Sequence, residues 1–242
     1  MLLDKECGIQ LETVDSTNTY CKKKEIPTGY WVLAKEQTAG RGRHGRVWIS
    51  QGEEKVFFSG KFLLSATNFS LPLLSLFIGS AVLKALQHHF PNLSLKLKWP
   101  NDIYLEEKKV SGILIESESI DGTSIFIAGI GINIFGNEKL ATSEYLSETP
   151  LGNNFKLNLI YTIIKFINEI EFILSNPNTI QKELDWIYEN SFLRNKKIQT
   201  TQNGEFFTGN VIGYDRNGFL IVKKEDESLV SIIDTGPDFK VI

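Results

Sequence analysis

The feature that most constrains the fold is a change near residue 190 from helical to strand-like residue patterns. Before it, the segments 155–174 and 179–190 carry apolar residues at helical spacing. After it, from 192 to 242, short runs rich in β-forming residues are separated by turn dipeptides such as Asn203-Gly204. Short strands with regular turn punctuation are typical of a small all-β barrel. The chain is therefore predicted to contain two domains of different class.

Upstream of this boundary the chain mixes helical and strand patterns. Helices are predicted over 71–90, 155–174 and 179–190, and Asp15-Ser16 offers capping chemistry for a short helix through about residue 24. Strands are predicted at 9–13, 30–35, 55–64, 95–98, 102–105, 109–117 and 124–134. The sequence thus predicts an α+β domain over residues 1–190 and a β-barrel domain over residues 191–242.

The composition argues against several classes of protein. The 242 residues carry 26 basic and 29 acidic side chains, a net charge of −3, whereas a chain-wide nucleic-acid or membrane-surface binder would be basic. Cys7 and Cys21 are too few for a disulfide scaffold, and with the three histidines they match no familiar metal-site spacing. The first residues have no apolar core of a secretion signal, and polar residues interrupt the apolar stretch 71–86. We therefore expect a cytoplasmic protein without a membrane span.

Residues 37–48, with the sequence QTAGRGRHGRVW, carry the most chemical information. Gly40, Gly42 and Gly45 match the G-x-G-x-x-G pattern of dinucleotide-binding folds, which also requires a preceding strand, a following helix and a later acidic residue. Here the next residues are strand-like, and arginines occupy the intervening positions. The dinucleotide-binding interpretation fails on this context.

Three arginines in the same segment, Arg41, Arg43 and Arg46, indicate an anion site. Their guanidinium groups match phosphate geometry, and within six residues they repel one another unless an anion lies between them. Trp48 adds a flat apolar surface on which a base could stack. A polyphosphate ligand is the favoured interpretation, while a solvated basic loop and an RNA contact stay open on composition alone.

Five segments then follow one another in a specific order. They are Asp15-Ser16-Thr17-Asn18, residues 37–48, Lys98-Trp99-Pro100-Asn101-Asp102, Lys109-Val110-Ser111-Gly112-Ile113-Leu114 and Gly129-Ile130-Gly131-Ile132-Asn133. Each motif is weak alone, but the ordered set, which spans residues 15 to 133, resembles the biotin protein ligase family within the larger group that includes lipoate ligases. The resemblance implies a class II synthetase-like mixed sheet with flanking helices, followed by a small C-terminal SH3-like β-barrel.

The resemblance also implies which residues bind the two substrates. The positions that match biotin-binding residues are Ser16, Thr17, Gln37, Gly40, Arg41, Gly112, Gly129 and Gly131. The positions that match ATP-binding residues are Arg41, Arg43, Arg46, Trp48, Lys109 and Asn133. Small polar side chains suit the neutral ureido ring of biotin, and glycines let a ligand approach the backbone closely. The arginines would hold the biotin carboxylate and the α-phosphate, and Trp48 and Asn133 would contact adenine.

The resemblance also implies that Lys109 is the main catalytic residue, with Arg43 and Asp102 as further catalytic candidates. Adenylation brings two anions together, and a fixed ammonium group offsets their repulsion and the charge that develops in the transition state. Asp102 could fix Lys109 or Arg43 by a charged hydrogen bond, or hold Mg²⁺ together with the ATP phosphates. No dedicated protein metal site is predicted.

Several of these positions also have a purely structural interpretation. Ser16-Thr17 could cap a helix, and Asn101-Asp102 could cap a turn. His44 is expected to point into solvent, and Lys108 to be a solvated charge of a hairpin.

The implied reaction joins biotin and Mg-ATP to give biotinyl-5′-adenylate and pyrophosphate, after which a lysine of a biotin carboxyl carrier protein displaces AMP. Because the Asp15-Ser16 motif lies close to residue 1, we expect no DNA-binding domain and no DNA partner. A homodimer is slightly favoured over a monomer. Two alternatives stay open, namely a lipoate or octanoate ligase of the same superfamily and a non-catalytic ligand- or RNA-binding module.

Overall fold

The larger sheet contains seven strands and occupies the first half of the chain. The computed structural model describes residues 1–48, 54–66, 69–120, 122–136, 143–236 and 238–242. The strands of this sheet are β1 (Gly8–Val14), β2 (Trp31–Gln37), β3 (Glu54–Leu63), β4 (Leu95–Lys98), β5 (Asp102–Leu105), β6 (Lys108–Ile120) and β7 (Thr123–Phe135). Their order across the sheet is β1-β2-β3-β7-β6-β5-β4. All seven coincide with predicted strands.

A single parallel pair makes this sheet mixed. β1 runs parallel to β2, whereas the other neighbouring pairs are antiparallel. The register of the three central strands places Gly131 of β7 between Phe57 of β3 and Gly112 of β6. The middle of the sheet therefore presents two adjacent glycines, with no side chain above the backbone at either position.

Helices cover both faces of the sheet. They are α1 (Thr17–Cys21), α2 (Leu71–His89), α3 (Gly152–Asn168), α4 (Ile170–Leu174) and α5 (Pro177–Glu189). α2 packs against β4, β5 and β6 and contacts α3 and α5, which builds the main core. α1 packs on the opposite face, where Cys21, Val32 and Ile127 form a small separate cluster. Val32 and Ile127 alternate along their strands with Trp31 and Ala128 of the main core, as successive residues of a strand must.

Two predicted helices differ from the observed ones. The segment 155–174 is divided at Glu169 into α3 and α4. The first helix ends at Cys21 rather than near residue 24. The buried ammonium group of Lys61 donates to the carbonyl groups of Lys23 (3.2 Å) and Ile26 (2.6 Å), which holds the chain after α1 in a loop.

The prediction of no membrane span was based on polar residues that interrupt the apolar stretch 71–86, which lies in α2. The helix runs unbroken over 19 residues and, among the helices that the structure describes, it is long and apolar enough by composition to cross a membrane. However, 67% of its apolar window is buried inside the protein. Its apolarity is that of a central core helix.

The second sheet is antiparallel and lies at the C-terminal end. Its strands are β8 (Lys197–Gln202), β9 (Glu205–Tyr214), β10 (Leu220–Lys224), β11 (Leu229–Ile232) and β12 (Lys240–Val241), in the order β11-β10-β9-β8-β12. The side chain of Gln202 in β8 donates to the carbonyl oxygen of Ser231 in β11 at 3.0 Å, although two strands separate them in the sheet order. The sheet is therefore curled on itself, as in a small barrel. The predicted α+β class with a C-terminal β module is confirmed.

Contacts from the turn before β5 join the two sheets. Trp99 is 2% exposed, and its indole N–H donates to the carbonyl oxygen of Gly218 at 3.0 Å. Leu97 exchanges backbone hydrogen bonds with the segment that leads into β8, through Asn190 and Phe192. The segment between β11 and β12 is thereby brought next to the open face of the first sheet, although Pro237, a predicted turn residue within it, lies outside the described residues.

Candidate active site

One cavity of about 640 Å³ collects nearly every residue that the sequence singled out. Its walls come from α1, from the strands β3, β5, β6 and β7, from the loop 40–48 and from the segment between β11 and β12. The predicted residues on these walls are Ser16, Thr17, Gln37, Arg41, Arg43, Arg46, Trp48, Asp102, Lys109, Gly112, Gly129 and Gly131. The predicted residues from Ser16 to Gly131 therefore share a single enclosure large enough for a small organic ligand.

A buried polar cluster forms one end of the cavity. Gln37 accepts hydrogen bonds from the backbone N–H of Thr17 at 2.8 Å and from its hydroxyl group at 3.0 Å. The hydroxyl group of Ser59, which is fully buried, lies 2.7 Å from the Thr17 hydroxyl oxygen and 2.6 Å from the amide oxygen of Asn18. Ser16 occupies the N-cap position of α1, but its side chain makes no capping hydrogen bond. The helix-cap interpretation thus does not explain this group of side chains.

Lys109 and Asp102 meet on the floor of the cavity, where β5 and β6 pair. The Lys109 ammonium nitrogen lies 2.6 Å from Oδ1 of Asp102, a charge contact whose angles are not those of a regular hydrogen bond. The two side chains are only 26% and 23% exposed. Of the two partners foreseen for Asp102, the structure selects Lys109 rather than Arg43. A cation fixed in this way, with a face open to the cavity, can receive an anionic substrate without having to be reoriented.

Two glycines on the floor make room for an indole ring. Gly112 and Gly131 are directly opposite each other in β6 and β7. A Cβ atom at Gly131 would lie 2.5 Å from the Trp48 ring, and one at Gly112 would lie 2.7 Å from it. The Lys109 ammonium group sits 5.1 Å from the centre of the same ring. We expected these glycines to admit a ligand, and the structure shows that they admit Trp48.

Gly129 has a different neighbour. A Cβ atom there would lie 2.2 Å from the amide oxygen of Asn18, which belongs to the buried polar cluster. The absence of a side chain at Gly129 therefore lets α1 approach β7, so that Thr17 and Asn18 reach the cavity wall. Gly129 is therefore needed for the close contact between α1 and β7, in addition to any contact with a ligand.

The arginines of the loop do not converge on one point. Arg41 lies 3.2 Å from Glu116 of β6, whereas Arg43 lies 2.8 Å from Asp234 in the segment between β11 and β12. Arg43 also donates to the amide oxygen of Asn101 at 3.4 Å. Carboxylates of the protein therefore offset two of the three guanidinium charges and draw them to different sides of the cavity mouth.

Glu116 holds together three elements around the loop. It accepts hydrogen bonds from Lys22 and Asn18, both at 2.8 Å, in addition to its contact with Arg41. Burial on its own raises the pKa of the Glu116 carboxyl group. The hydrogen bonds from Lys22 and Asn18 and the charges of Lys22 and Arg41 outweigh that effect, so that the pKa lies below its ordinary value. Glu116 is therefore ionised at neutral pH.

The remaining sequence-based expectations have mixed outcomes. Gly40 and Asn133 are not on the cavity wall: Gly40 packs under Trp48 and Gln37, and Asn133 is buried and donates to the backbone of Glu144 at 3.4 Å. His44 is largely exposed, as expected, but its ring lies 3.2 Å from Asp234. Lys108 is half exposed and pairs with Glu144 at 2.9 Å.

A Mg²⁺ ion would find limited protein ligation here. Within the described part of the chain, no group of three acidic, histidine or cysteine side chains is arranged to hold a metal. Asp102 is the acidic residue on the described cavity wall, and it is already engaged by Lys109. Mg²⁺ characteristically retains water and binds through one or two carboxylates plus substrate phosphates, and the residues present fit that mode.

The sequence analysis missed four residues that organise this site. They are Asn18, Ser59, Glu116 and Asp234. Strand alternation could have found Glu116, since it lies on the same face of β6 as Gly112 and Leu114. No local signal marks Asp234, because its relation to the loop depends on how the two sheets pack.

Comparison with known proteins agrees with the geometry. Residues 10–133 match the model of the biotin/lipoate A/B protein ligase family. The chain is 35% identical over 222 residues to the bifunctional ligase/repressor BirA of Escherichia coli, an alignment that covers 89% of this chain and 68% of that protein. It is 39% identical over 148 residues to the biotin–[acetyl-CoA-carboxylase] ligase of Paracoccus denitrificans, covering 59% of this chain and 60% of the relative.

A solved structure matches almost the whole chain. The biotin protein ligase of Aquifex aeolicus, in complex with biotin and ATP, superimposes with a TM-score of 0.76 at 27% identity, over 97% of this chain and 98% of that one. The match therefore includes both sheets. Since the family model covers half of this chain and the BirA alignment covers two thirds of that relative, the chain belongs to the biotin/lipoate A/B protein ligase family.

Proposed function

We propose that this protein is a biotin protein ligase, which activates biotin with ATP and transfers it to a lysine of a carrier protein. The observation that carries the proposal is the position of Lys109. Held at 2.6 Å by Asp102, it lies in one cavity with the buried polar cluster around Thr17 and the arginine-rich loop. The names of the relatives and the biotin and ATP bound by the Aquifex enzyme support the same function.

In the first step, a biotin carboxylate oxygen attacks the α-phosphorus of ATP. The bond from that phosphorus to the β-phosphate oxygen breaks, and biotinyl-5′-adenylate and pyrophosphate form. Lys109 is placed to offset the charge of the two approaching anions. Arg43 and Arg41 would bind phosphate and carboxylate oxygens from the loop, and Mg²⁺ supplies charge neutralisation of the phosphates when it is bound.

In the second step, the neutral ε-amine of the acceptor lysine attacks the acyl carbon of the adenylate. The bond to the phosphate oxygen breaks, AMP leaves, and the new amide nitrogen loses a proton. A biotin carboxyl carrier domain is the acceptor that we propose, consistent with the acetyl-CoA-carboxylase ligase among the relatives. The adenylate must be kept from water between the two steps, which gives a covering loop a function.

The polar cluster favours biotin over lipoate. Thr17 and Gln37 line the cavity and are 3% and 9% exposed, and the fully buried hydroxyl group of Ser59 holds the Thr17 hydroxyl group at 2.7 Å. A polar wall of this kind suits the ureido ring of biotin, which offers N–H and C=O groups where the dithiolane ring of lipoate has none. A lipoate ligase would leave this cluster facing an apolar ring.

Two further features belong to the proposal. β1 is an edge strand of the first sheet, so pairing of this edge with that of a second copy would form the expected homodimer, which light scattering would detect. A cytoplasmic location is consistent with this function.

The deciding experiment is ATP–pyrophosphate exchange with biotin, with lipoate as the alternative acid. Wild-type protein should exchange with biotin alone, and Lys109→Ala should reduce the rate by about 100-fold or more, or about 2.7 kcal/mol of lost transition-state stabilisation. Lys108→Ala is the matched control, because Lys108 is adjacent in sequence but pairs with Glu144 outside the cavity wall. Exchange with lipoate alone would assign the protein to the sister activity, and no exchange with either acid would leave a binding module.

A further inference from the structure

Asp234 makes two contacts with the loop that covers the cavity. Its Oδ1 accepts a hydrogen bond from the Arg43 guanidinium group at 2.8 Å, and its Oδ2 lies 3.2 Å from Nε2 of His44. Asp234 follows β11 in the C-terminal sheet, 191 residues from Arg43. One carboxylate therefore holds two consecutive side chains of the loop to a distant part of the chain.

The local backbone on both sides prepares this contact. Arg43, His44 and Gly45 form a single tight turn, in which His44 and Gly45 have φ values of 55° and 72°. This left-handed conformation turns the chain sharply, so that two neighbouring side chains reach the same carboxylate. On the other side, the backbone N–H of Thr235 donates to Oδ1 of Asp234 at 2.8 Å and orients it.

The contact also joins two walls of the cavity. Arg43 and His44 on the loop side and Thr235 and Gly236 on the C-terminal side line the same space. Arg43 spans them, with one nitrogen toward Asp234 and another 3.4 Å from Asn101 of the first sheet. Without Asp234, the loop would lose its connection to the C-terminal segment through these two side chains.

We propose that Asp234 is a positioning residue that ties the loop 40–48 to the C-terminal sheet and thereby keeps the adenylate in the cavity. This inference rests on the function proposed above. Loss of the tether exposes the mixed anhydride to water, which adds to the acyl carbon. The bond to the phosphate oxygen breaks, and biotin, AMP and a proton are released. The C-terminal module then increases the amount of biotin transferred per ATP consumed and does not take part in the chemical step.

The tether is weak enough to open for substrates. Arg43 and Asp234 are 30% and 37% exposed, and partly exposed ion pairs contribute modestly to stability. We expect its loss to change the open fraction of the loop by about fivefold, which corresponds to about 1 kcal/mol. A reversible closure of this size can retain an intermediate without trapping the substrates.

The first test measures the tether itself and does not depend on activity. Asp234→Asn keeps the shape and the acceptor for Thr235 but removes the charge. Limited trypsin digestion of the full chain, read by mass spectrometry, should show cleavage after Arg41, Arg43 and Arg46 about fivefold faster in this variant. Asp238→Asn is the matched control, since Asp238 lies in the same segment but contacts Thr201 instead of the loop. His44→Ala, which removes one contact from the loop side, should give a smaller increase.

The second test measures the consequence. Two rates are measured for each variant: AMP formation with biotin and ATP but no acceptor, and biotin transfer in a parallel reaction with acceptor. The ratio of the first rate to the second should rise about fivefold in Asp234→Asn and stay at the wild-type value in Asp238→Asn. A general structural defect would lower both rates together and leave the ratio unchanged. Equal cleavage in Asp234→Asn and Asp238→Asn, or an unchanged ratio, would overturn the inference. Absence of biotin-dependent exchange in wild type would overturn the proposed ligase function, and with it the retention role, whereas the cleavage result would still report on the tether.

Discussion

The floor and the roof of the cavity are built by different means. The floor consists of Asp102, Lys109, Gly112, Gly129 and Gly131, which are strand residues whose positions follow from sheet register. The roof is the loop 40–48, which is held by side-chain contacts to other parts of the chain. Register is specified by the whole buried face of a sheet, whereas a side-chain ion pair can break locally. The floor is thus suited to chemistry that needs fixed geometry, and the roof to motion.

The roof itself has two unequal attachments. Arg41 is held to the first sheet through Glu116, which is 19% exposed and has further bonds to Asn18 and Lys22. Arg43 is held to the C-terminal segment by Asp234, which is 37% exposed. Glu116 is the more buried carboxylate, whereas the contact of Arg43 with Asp234 is the shorter one, at 2.8 Å against 3.2 Å. Because Asp234 is the more exposed carboxylate, we expect the loop to open on the side of Arg43.

The largest expected effect on the reaction rate comes from a substitution on the floor of the cavity. Asp102→Asn removes the charge that fixes the Lys109 ammonium group at 2.6 Å but keeps the shape of the side chain. The turnover number for pyrophosphate exchange should fall by about 10- to 100-fold, because the cation is no longer preorganised for the transition state, while KM for biotin changes little. Steady-state exchange kinetics separate the two parameters. A rise in KM alone would mean that Asp102 acts in substrate binding. The proposed difference between a floor suited to chemistry and a roof suited to motion would then not hold.

A pair of glycines tests whether floor contacts are more rigid than roof contacts. A Cβ atom at Gly129 meets Asn18 at 2.2 Å within the buried cluster, whereas one at Gly131 meets Trp48 of the loop at 2.5 Å. Gly129→Ala should lower the free energy of unfolding by about 2 kcal/mol, since the obstructing residue cannot move aside. Gly131→Ala should cost less than about 1 kcal/mol, because Trp48 can lift with the loop. Urea unfolding of both variants measures the difference, and equal losses would show that the roof is as rigid as the floor.

The same contrast explains what the sequence could predict. The strands of the first sheet and the C-terminal β module followed from periodicity and turn chemistry. The resemblance predicted that Lys109, Asp102 and Thr17 share one site, and all three line the cavity. Gly129 and Gly131 were predicted to admit a ligand, and the sequence did not reveal that Asn18 and Trp48 approach them as well, because a glycine in a strand indicates a close approach without saying what approaches. Asn133 was assigned to adenine on its motif alone, although its side chain is directed to the backbone of Glu144. Asp234 could not be foreseen, since its contact with Arg43 depends on the packing of two sheets that are distant in sequence.

The attachment of Arg41 can be tested through its dependence on pH. The pKa of Glu116 is below its ordinary value in the folded protein, so the ionised carboxylate stabilises the fold. That stabilisation is fully present above the pKa of the unfolded chain and is lost as the pH falls through the lower pKa of the folded state. At pH 7, Glu116→Gln should therefore reduce the free energy of unfolding by about 1.5–2 kcal/mol, the lower part of the range for hydrogen bonds to a charged group. The difference from wild type should disappear on the acid side of the ordinary value of 4.5.

Glu118→Gln provides the control for this prediction. Glu118 lies two residues along the same strand and on the same face, but its carboxylate oxygen is 3.9 Å from the Lys22 ammonium nitrogen, against 2.8 Å for Glu116. Removing its charge should change stability by less than about 0.5 kcal/mol at either pH, as expected for an exposed pair. In urea unfolding at pH 7 and at acid pH, only Glu116→Gln should show a gap that closes on acidification. A gap of the same size for both variants would mean that the general charge of this strand, rather than the network joining Asn18, Lys22 and Arg41, stabilises the anchored side of the loop.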